Sequence, residues 1–96
     1  MDLVLTGICS DIIKEVDPLK IVLYGEKKNG EALREVSLLI VVKSDPKEAE
    51  RRLYRALDSE IAFNLLVYGE DDFATLSSDK TSYAYSILSK GRVLYG

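Results

Sequence analysis

The 96-residue sequence has no histidine, no tryptophan and a single cysteine, Cys9. Without histidine, the common zinc sites and the Ser-His and Cys-His nucleophile pairs are excluded. One cysteine cannot close an internal disulfide, and a reducing, cytoplasmic setting fits that usage. No apolar stretch approaches the roughly 20 residues of a membrane span, and Met1-Asp2-Leu3 opens without a basic leader segment, so no membrane association or targeting signal is expected. An excess of positive charge is also missing. Thirteen Lys and Arg against 16 Asp and Glu leave a net charge of −3, and no basic run has the density of a footprint for nucleic acid or an anionic membrane. What the chain does have is 47% hydrophobic residues. A chain of this length buries about two-thirds of its unfolded surface, so these residues serve one core, and a single domain over residues 1–96 is expected.

Apolar residues Leu3, Val4, Ile8, Cys9, Ile12, Ile13 and Val16 recur at helical spacing, predicting an amphipathic helix that stops at Asp17-Pro18 because the residue before proline avoids the helical region. Cys9 falls on its apolar stripe and reads as a buried structural thiol. Ile21 to Tyr24 reads as a short buried strand. The polar stretch Glu26 to Val36 contains Asn29-Gly30, a pair that tolerates positive φ, and predicts a hairpin connection. The run from Ser37 to Lys43 is apolar on both faces and predicts a central strand. Asp45-Pro46-Lys47-Glu48 combines a cap oxygen, Pro at the first helical position and Glu three residues after the cap. The helix it starts carries Ala49, Leu53, Ala56 and Leu57 on one stripe, with Glu48 and Arg52 spaced as an ion pair. A third strand, Ile61 to Tyr68, is interrupted only by Asn64. An acidic turn follows at Glu70 to Phe73, then a helix from Thr81 to Lys90 closed by Gly91, and an extended segment from Arg92 to Tyr95. The fold class expected is α/β in the α+β sense, a small mixed sheet of three to four strands packed with helices.

Motifs for common chemistry are absent. Gly25 and Gly30 begin a phosphate-loop spacing, but Glu31-Ala32 stands where Lys-Ser/Thr is needed. There is no three-glycine dinucleotide fingerprint and no nucleophile elbow. Glu70, Asp71 and Asp72 fit a solvated helix start better than a metal site.

The stretch Ile21 to Val42, IVLYGEKKNGEALREVSLLIVV, resembles the signature of the nucleotidyltransferase fold, the DNA polymerase beta superfamily, in its minimal form. That family reads, after an apolar strand ending in Phe or Tyr, as Gly-Ser-x-Ala-Arg-Gly-x-Ala, a few residues, then Ser-Asp-x-Asp-Leu and a run of Val and Leu. Tyr24, Gly25, Gly30, Ala32 and Ile40-Val41-Val42 match without a gap. The closing segment YAYSILSKGRVLY is similar to the family's Ile-Leu-x-x-Gly-x-x-Leu-Tyr pattern at Ile87, Leu88, Gly91, Leu94 and Tyr95. The resemblance implies a nucleotidyltransferase-like domain along nearly the whole chain.

It also implies a degenerate one. The family's phosphate-cradling Ser position is Glu26 here, its two magnesium-holding Asp positions are Ser37 and Leu39, and its third Asp is Asn64. Magnesium wants charged oxygen ligands, and phosphoryl transfer depends on it. If nucleotide binding is retained, the resemblance assigns it to Gly25, Glu26, Lys27 and Lys28. Asn64 reads either as a relic of that site or as a hydrogen-bonded structural amide. The expected function is therefore a catalytically inactive module for protein binding or assembly, with no cofactor. The resemblance suggests as partner a homodimer or a small helical protein, as in toxin–antitoxin pairs. Interface candidates are Tyr83, Tyr85, Val93, Leu94 and Tyr95, beside a strand edge. The alternatives are an active transferase of nucleoside monophosphate to protein or RNA, using Mg²⁺ and substitute ligands, and a nucleotide sensor without chemistry.

Overall fold

A computed structural model describes residues 3–57 and 60–96. The described residues form, in chain order, α1 (Leu3–Val16), β1 (Lys20–Asn29), β2 (Ala32–Val42), α2 (Pro46–Ala56), β3 (Ala62–Gly69), α3 (Glu70–Ser77), α4 (Tyr83–Lys90) and β4 (Arg92–Tyr95). This is the α+β architecture expected, with a mixed four-stranded sheet in the order β3-β2-β1-β4. β1 is antiparallel to both β2 and β4, and β2 is parallel to β3.

β2 occupies the centre because its apolar run has no polar face. Leu38, Ile40 and Val42 enter a core shared with Leu5, Ile8, Ile12 and Leu53 of α1 and α2. Leu39 and Val41 enter a second core with Val22 of β1 and Ala84 and Ile87 of α4. The sheet is thus covered on both faces, as an uninterrupted run of branched aliphatics requires. α1 ends as its sequence directs: Asp17 takes a left-handed φ of 46° and its amide donates to the Ile13 carbonyl at 3.1 Å. Asp45 caps α2, its Oδ1 accepting from the Lys47 amide at 3.0 Å. Ser82 caps α4 by accepting from the Tyr85 amide at 3.1 Å.

Several local expectations are corrected. The polar stretch after Gly25 is not a loop: β1 and β2 continue through it as a two-stranded ribbon, and the turn is Gly30-Glu31, with Asn29 still paired to Ala32. Gly30 supplies the positive φ, 65°, at the first central position, the placement that suits a tight hairpin turn. Leu33 is buried in the α1–α2 core, which holds the polar ribbon against the body. Ala56 is exposed, while Ala49, Leu53 and Leu57 are buried. Glu48 pairs with Arg51 at 2.7 Å instead of Arg52, which reaches Glu15 of α1 at 3.4 Å. The acidic turn extends into the two-turn helix α3, and α4 starts at Tyr83 because Ser82 is its cap. Gly91 closes α4 without a left-handed backbone, its φ being −81°.

Candidate functional site

Three of the sequence's candidate residues come together. Across β1 and β2, Gly25 is opposite Ser37, and across β2 and β3, Ser37 is opposite Asn64. Opposed strand residues share a face, so these positions form a row on the α3–α4 side of the sheet. The Asn64 Nδ2 donates to Ser37 Oγ at 3.2 Å. A side chain at Gly25 would place its Cβ 3.4 Å from both Cβ and Oγ of Ser37, so the backbone passes closely there.

Tyr24 lies on the same face by ordinary alternation, two residues from Val22 of the second core. The register shifts between Leu23 and Gly25, so Tyr24 and Gly25 both stand on the Ser37 side and the residues from Glu26 onward change face, a common use of bulges. Its ring meets Tyr83 of α4 edge to face, with centroids 6.2 Å apart. Burial pushes the Tyr24 phenol up, with further contributions from the neighbouring Tyr83, Tyr68 and Tyr54, partly offset by a hydrogen bond with Ser37. Leu39, two residues along β2 from Ser37, lies fully buried in the second core.

Glu26 does not reach this row. It is opposite Val36, which is fully buried in the α1–α2 core, so its carboxylate starts from the other face of the sheet. Period-two alternation places Glu35 on the Ser37 face instead. Glu35 is paired with Lys27 at 3.4 Å, which commits one of the expected nucleotide-binding cations to a carboxylate. Sequence reasoning misses Glu35. Its signal is its spacing of two from Ser37, hidden because the polar stretch reads as a loop. Among the described residues, no group of three or more His, Cys, Asp or Glu is arranged to hold a metal ion.

Gly25 and Glu26 instead line a shallow hollow of about 230 Å³ with Leu23, Tyr24, Lys90 and Arg92, at the outer edge of β1. Lys28 lies farther out on the exposed ribbon. The interface candidates are divided: Tyr83 stands against Tyr24 on the α3–α4 side, whereas Leu94 packs against the α1–α2 core. Val93 and Tyr95 are exposed on β4, and Tyr85 is half-buried. Cys9 is free and buried, and burial pushes its thiol up, as expected of a structural residue. Among the described residues no helix is long and apolar enough to cross a membrane.

Chemically, the row offers a hydroxyl, a carboxamide and a phenol, and the carboxylate on its face, Glu35, is already paired with Lys27. These groups can donate and accept hydrogen bonds, whereas magnesium favours several charged oxygens. Searches among protein-family models, curated proteins and solved structures find no match to this chain.

Proposed function

We propose that this chain is a nucleotidyltransferase-like domain that has lost catalysis and serves as a protein-binding or assembly module in the cytoplasm, with a second copy or a small helical protein as partner, as in toxin–antitoxin pairs. The observation that carries the reading is the Asn64–Ser37 hydrogen bond. It stands where the resembling family needs carboxylates, and it joins two neutral groups to one another. A magnesium site would instead leave both strands with charged oxygens turned outward to an ion. Glu35 and Glu26 do not substitute: the first is tied to Lys27 and the second starts from the opposite face.

The test is transfer from labelled nucleoside triphosphates, with magnesium or manganese, to protein or RNA acceptors. The expected result is no transfer. Transfer that disappears in Glu35→Gln or Glu26→Gln would restore the enzyme reading. A second reading, nucleotide sensing without chemistry, draws support from the hollow beside Tyr24, whose lining includes two cations, Lys90 and Arg92, and one carboxylate, Glu26. Titration calorimetry with nucleotide in chelator separates it: binding that weakens in Arg92→Gln favours a sensor, and no heat removes it.

A further inference from the structure

The chain holds two asparagines, Asn29 and Asn64, and no glutamine. The side-chain amide of asparagine is chemically labile, because the backbone nitrogen of the next residue can attack its carbonyl carbon and close a five-membered ring. Whether that happens depends on three things: how free the attacking amide is, how bulky the residue that carries it is, and how easily the backbone moves. On all three counts the two asparagines stand in opposite surroundings.

Asn29 is the last residue of β1, and Gly30 begins the hairpin turn. Both are exposed. Among the described residues, neither the Asn29 carboxamide nor the Gly30 amide has a hydrogen-bond partner. Gly30 brings no side chain to the attacking nitrogen, and the space where a Cβ would stand is open. The tip is also loosely held. The β1–β2 register is irregular between Lys27 and Lys28, and beyond that point only Lys28 with Leu33 and Asn29 with Ala32 are paired. Leu33 is anchored in the α1–α2 core, whereas Asn29, Gly30, Glu31 and Ala32 are all exposed. Releasing Asn29 therefore breaks one strand pair and uncovers no core residue, which places it at the low-cost end of local opening.

Asn64 is the internal control. Its Nδ2 donates to Ser37 Oγ at 3.2 Å. The next residue, Leu65, is branched and buried, and its amide already donates to the Tyr54 hydroxyl at 3.2 Å.

We propose that Asn29 is a site of spontaneous covalent modification, converted to aspartate and isoaspartate through a cyclic imide with Gly30. The Gly30 nitrogen loses its proton to solvent and bonds to Cγ of Asn29; the Cγ–Nδ2 bond breaks, and Nδ2 takes up a proton and leaves as ammonia. Water then adds to one of the two imide carbonyls. Opening the ring at Cγ leaves an ordinary aspartate, and opening it at the backbone carbonyl leaves an isoaspartate, whose main chain runs through Cγ. Nothing is oxidised or reduced: one water is consumed and one ammonia released. Either product adds a negative charge to a chain of net charge −3, two residues from Glu31. The isoaspartate also lengthens the backbone at the pair that closes the hairpin, where loop length sets strand register.

The test is incubation of the full chain at mildly alkaline pH, native and in urea, followed by brief tryptic digestion. Cleavage after Lys28 and Arg34 releases residues 29–34, whose acid forms differ from the amide in mass and from one another in reversed-phase retention. The expected result is a mixture of aspartate and isoaspartate at Asn29, formed in the native chain within about tenfold of the rate in urea, which corresponds to an opening cost of about 1.4 kcal/mol. In the native chain Asn29 should convert at least about tenfold faster than Asn64, a difference of the same size. A native rate at Asn29 more than tenfold below the urea rate overturns the proposal, as does Asn64 converting within tenfold of Asn29 in the native chain. Aspartate without isoaspartate would mean direct hydrolysis and overturns the imide route.

Discussion

Gly91→Ala is expected to destabilise the protein steeply, for a reason that lies outside its own helix. Gly91 follows α4, and its place in the sequence suggests a glycine chosen for a left-handed cap. The structure gives a different reason. Its φ of −81° is open to any residue, but a Cβ would stand 2.7 Å from the Ile87 carbonyl oxygen, 2.8 Å from Val22 Cγ1 and 2.9 Å from the Leu23 carbonyl oxygen. Two of the three obstacles are backbone, belonging to α4 and β1, and rotamer changes cannot move them. Gly91→Ala therefore forces α4 away from β1, and the second core through Ile87 and Val22 opens with it. Overpacking a filled site costs about 1–3 kcal/mol, and backbone obstacles put this substitution at the top of that range. For a domain of this size, each kcal/mol shifts the melting temperature by roughly 4–8 °C, so a drop of about 12–24 °C is expected by circular dichroism. Gly91→Asn discriminates between the two reasons. A left-handed cap would accept Asn better than Ala, whereas a steric limit makes Asn at least as harmful. Greater stability in the Gly91→Asn variant than in the Gly91→Ala variant would refute the close-approach reasoning.

Three further outcomes follow from the same packing. Tyr54→Phe removes the hydroxyl that serves Phe63 and Leu65 on the β3 edge; a loss of about 1–2 kcal/mol in urea unfolding is expected, with concentration-dependent light scattering as the freed edge pairs. Leu39→Asp puts a carboxylate at a fully buried position in the second core, and a loss of about 4 kcal/mol or more should leave the chain largely unfolded by circular dichroism. Burial raises the thiol of Cys9 and the phenol of Tyr24, so the folded protein holds these protons more tightly than the unfolded chain. Their contribution is intact below the ordinary thiol value of about 8.5 and is lost as pH rises through the raised values. Urea midpoints should therefore fall on the alkaline side, the thiol part vanishing in Cys9→Ala; midpoints that rise with alkaline pH would contradict both assignments.

How much was legible in the sequence depended on whether a signal was local. α1, the Asp45 cap and the central strand β2 could be read because periodicity, cap chemistry and an apolar run are properties of neighbouring residues. The extent of the β1–β2 ribbon could not. Glu26-Lys27-Lys28 and Glu31 resemble a loop in composition, and what makes the segment strand is distant: Leu33 finding the α1–α2 core and Glu35 finding Lys27. The same holds for Glu48, whose partner was settled by Glu15 of α1 drawing Arg52 away. At the candidate site, the sequence pointed to Ser37, Leu39 and Asn64 without their register. Register alone shows that Ser37 and Asn64 touch and that the bulge at Tyr24 and Gly25 turns Glu26 to the other face.

These placements set what a single carboxylate introduced in or beside the row would meet. The row has two ends. At the open end, a hydrogen bond joins Asn64 to Ser37, and Asn64→Asp would supply a single exposed carboxylate, which holds magnesium only when other charged oxygens assist. At the closed end, Leu39 is shared with Val22, Ala84 and Ile87, so an ion ligand there comes at the expense of the core beneath α4. A carboxylate at Leu39 would therefore stand where the fold can least release an apolar side chain. The polar row and the tight seating of α4 on the sheet thus meet along β2, where partly buried Ser37 gives way within two residues to fully buried Leu39.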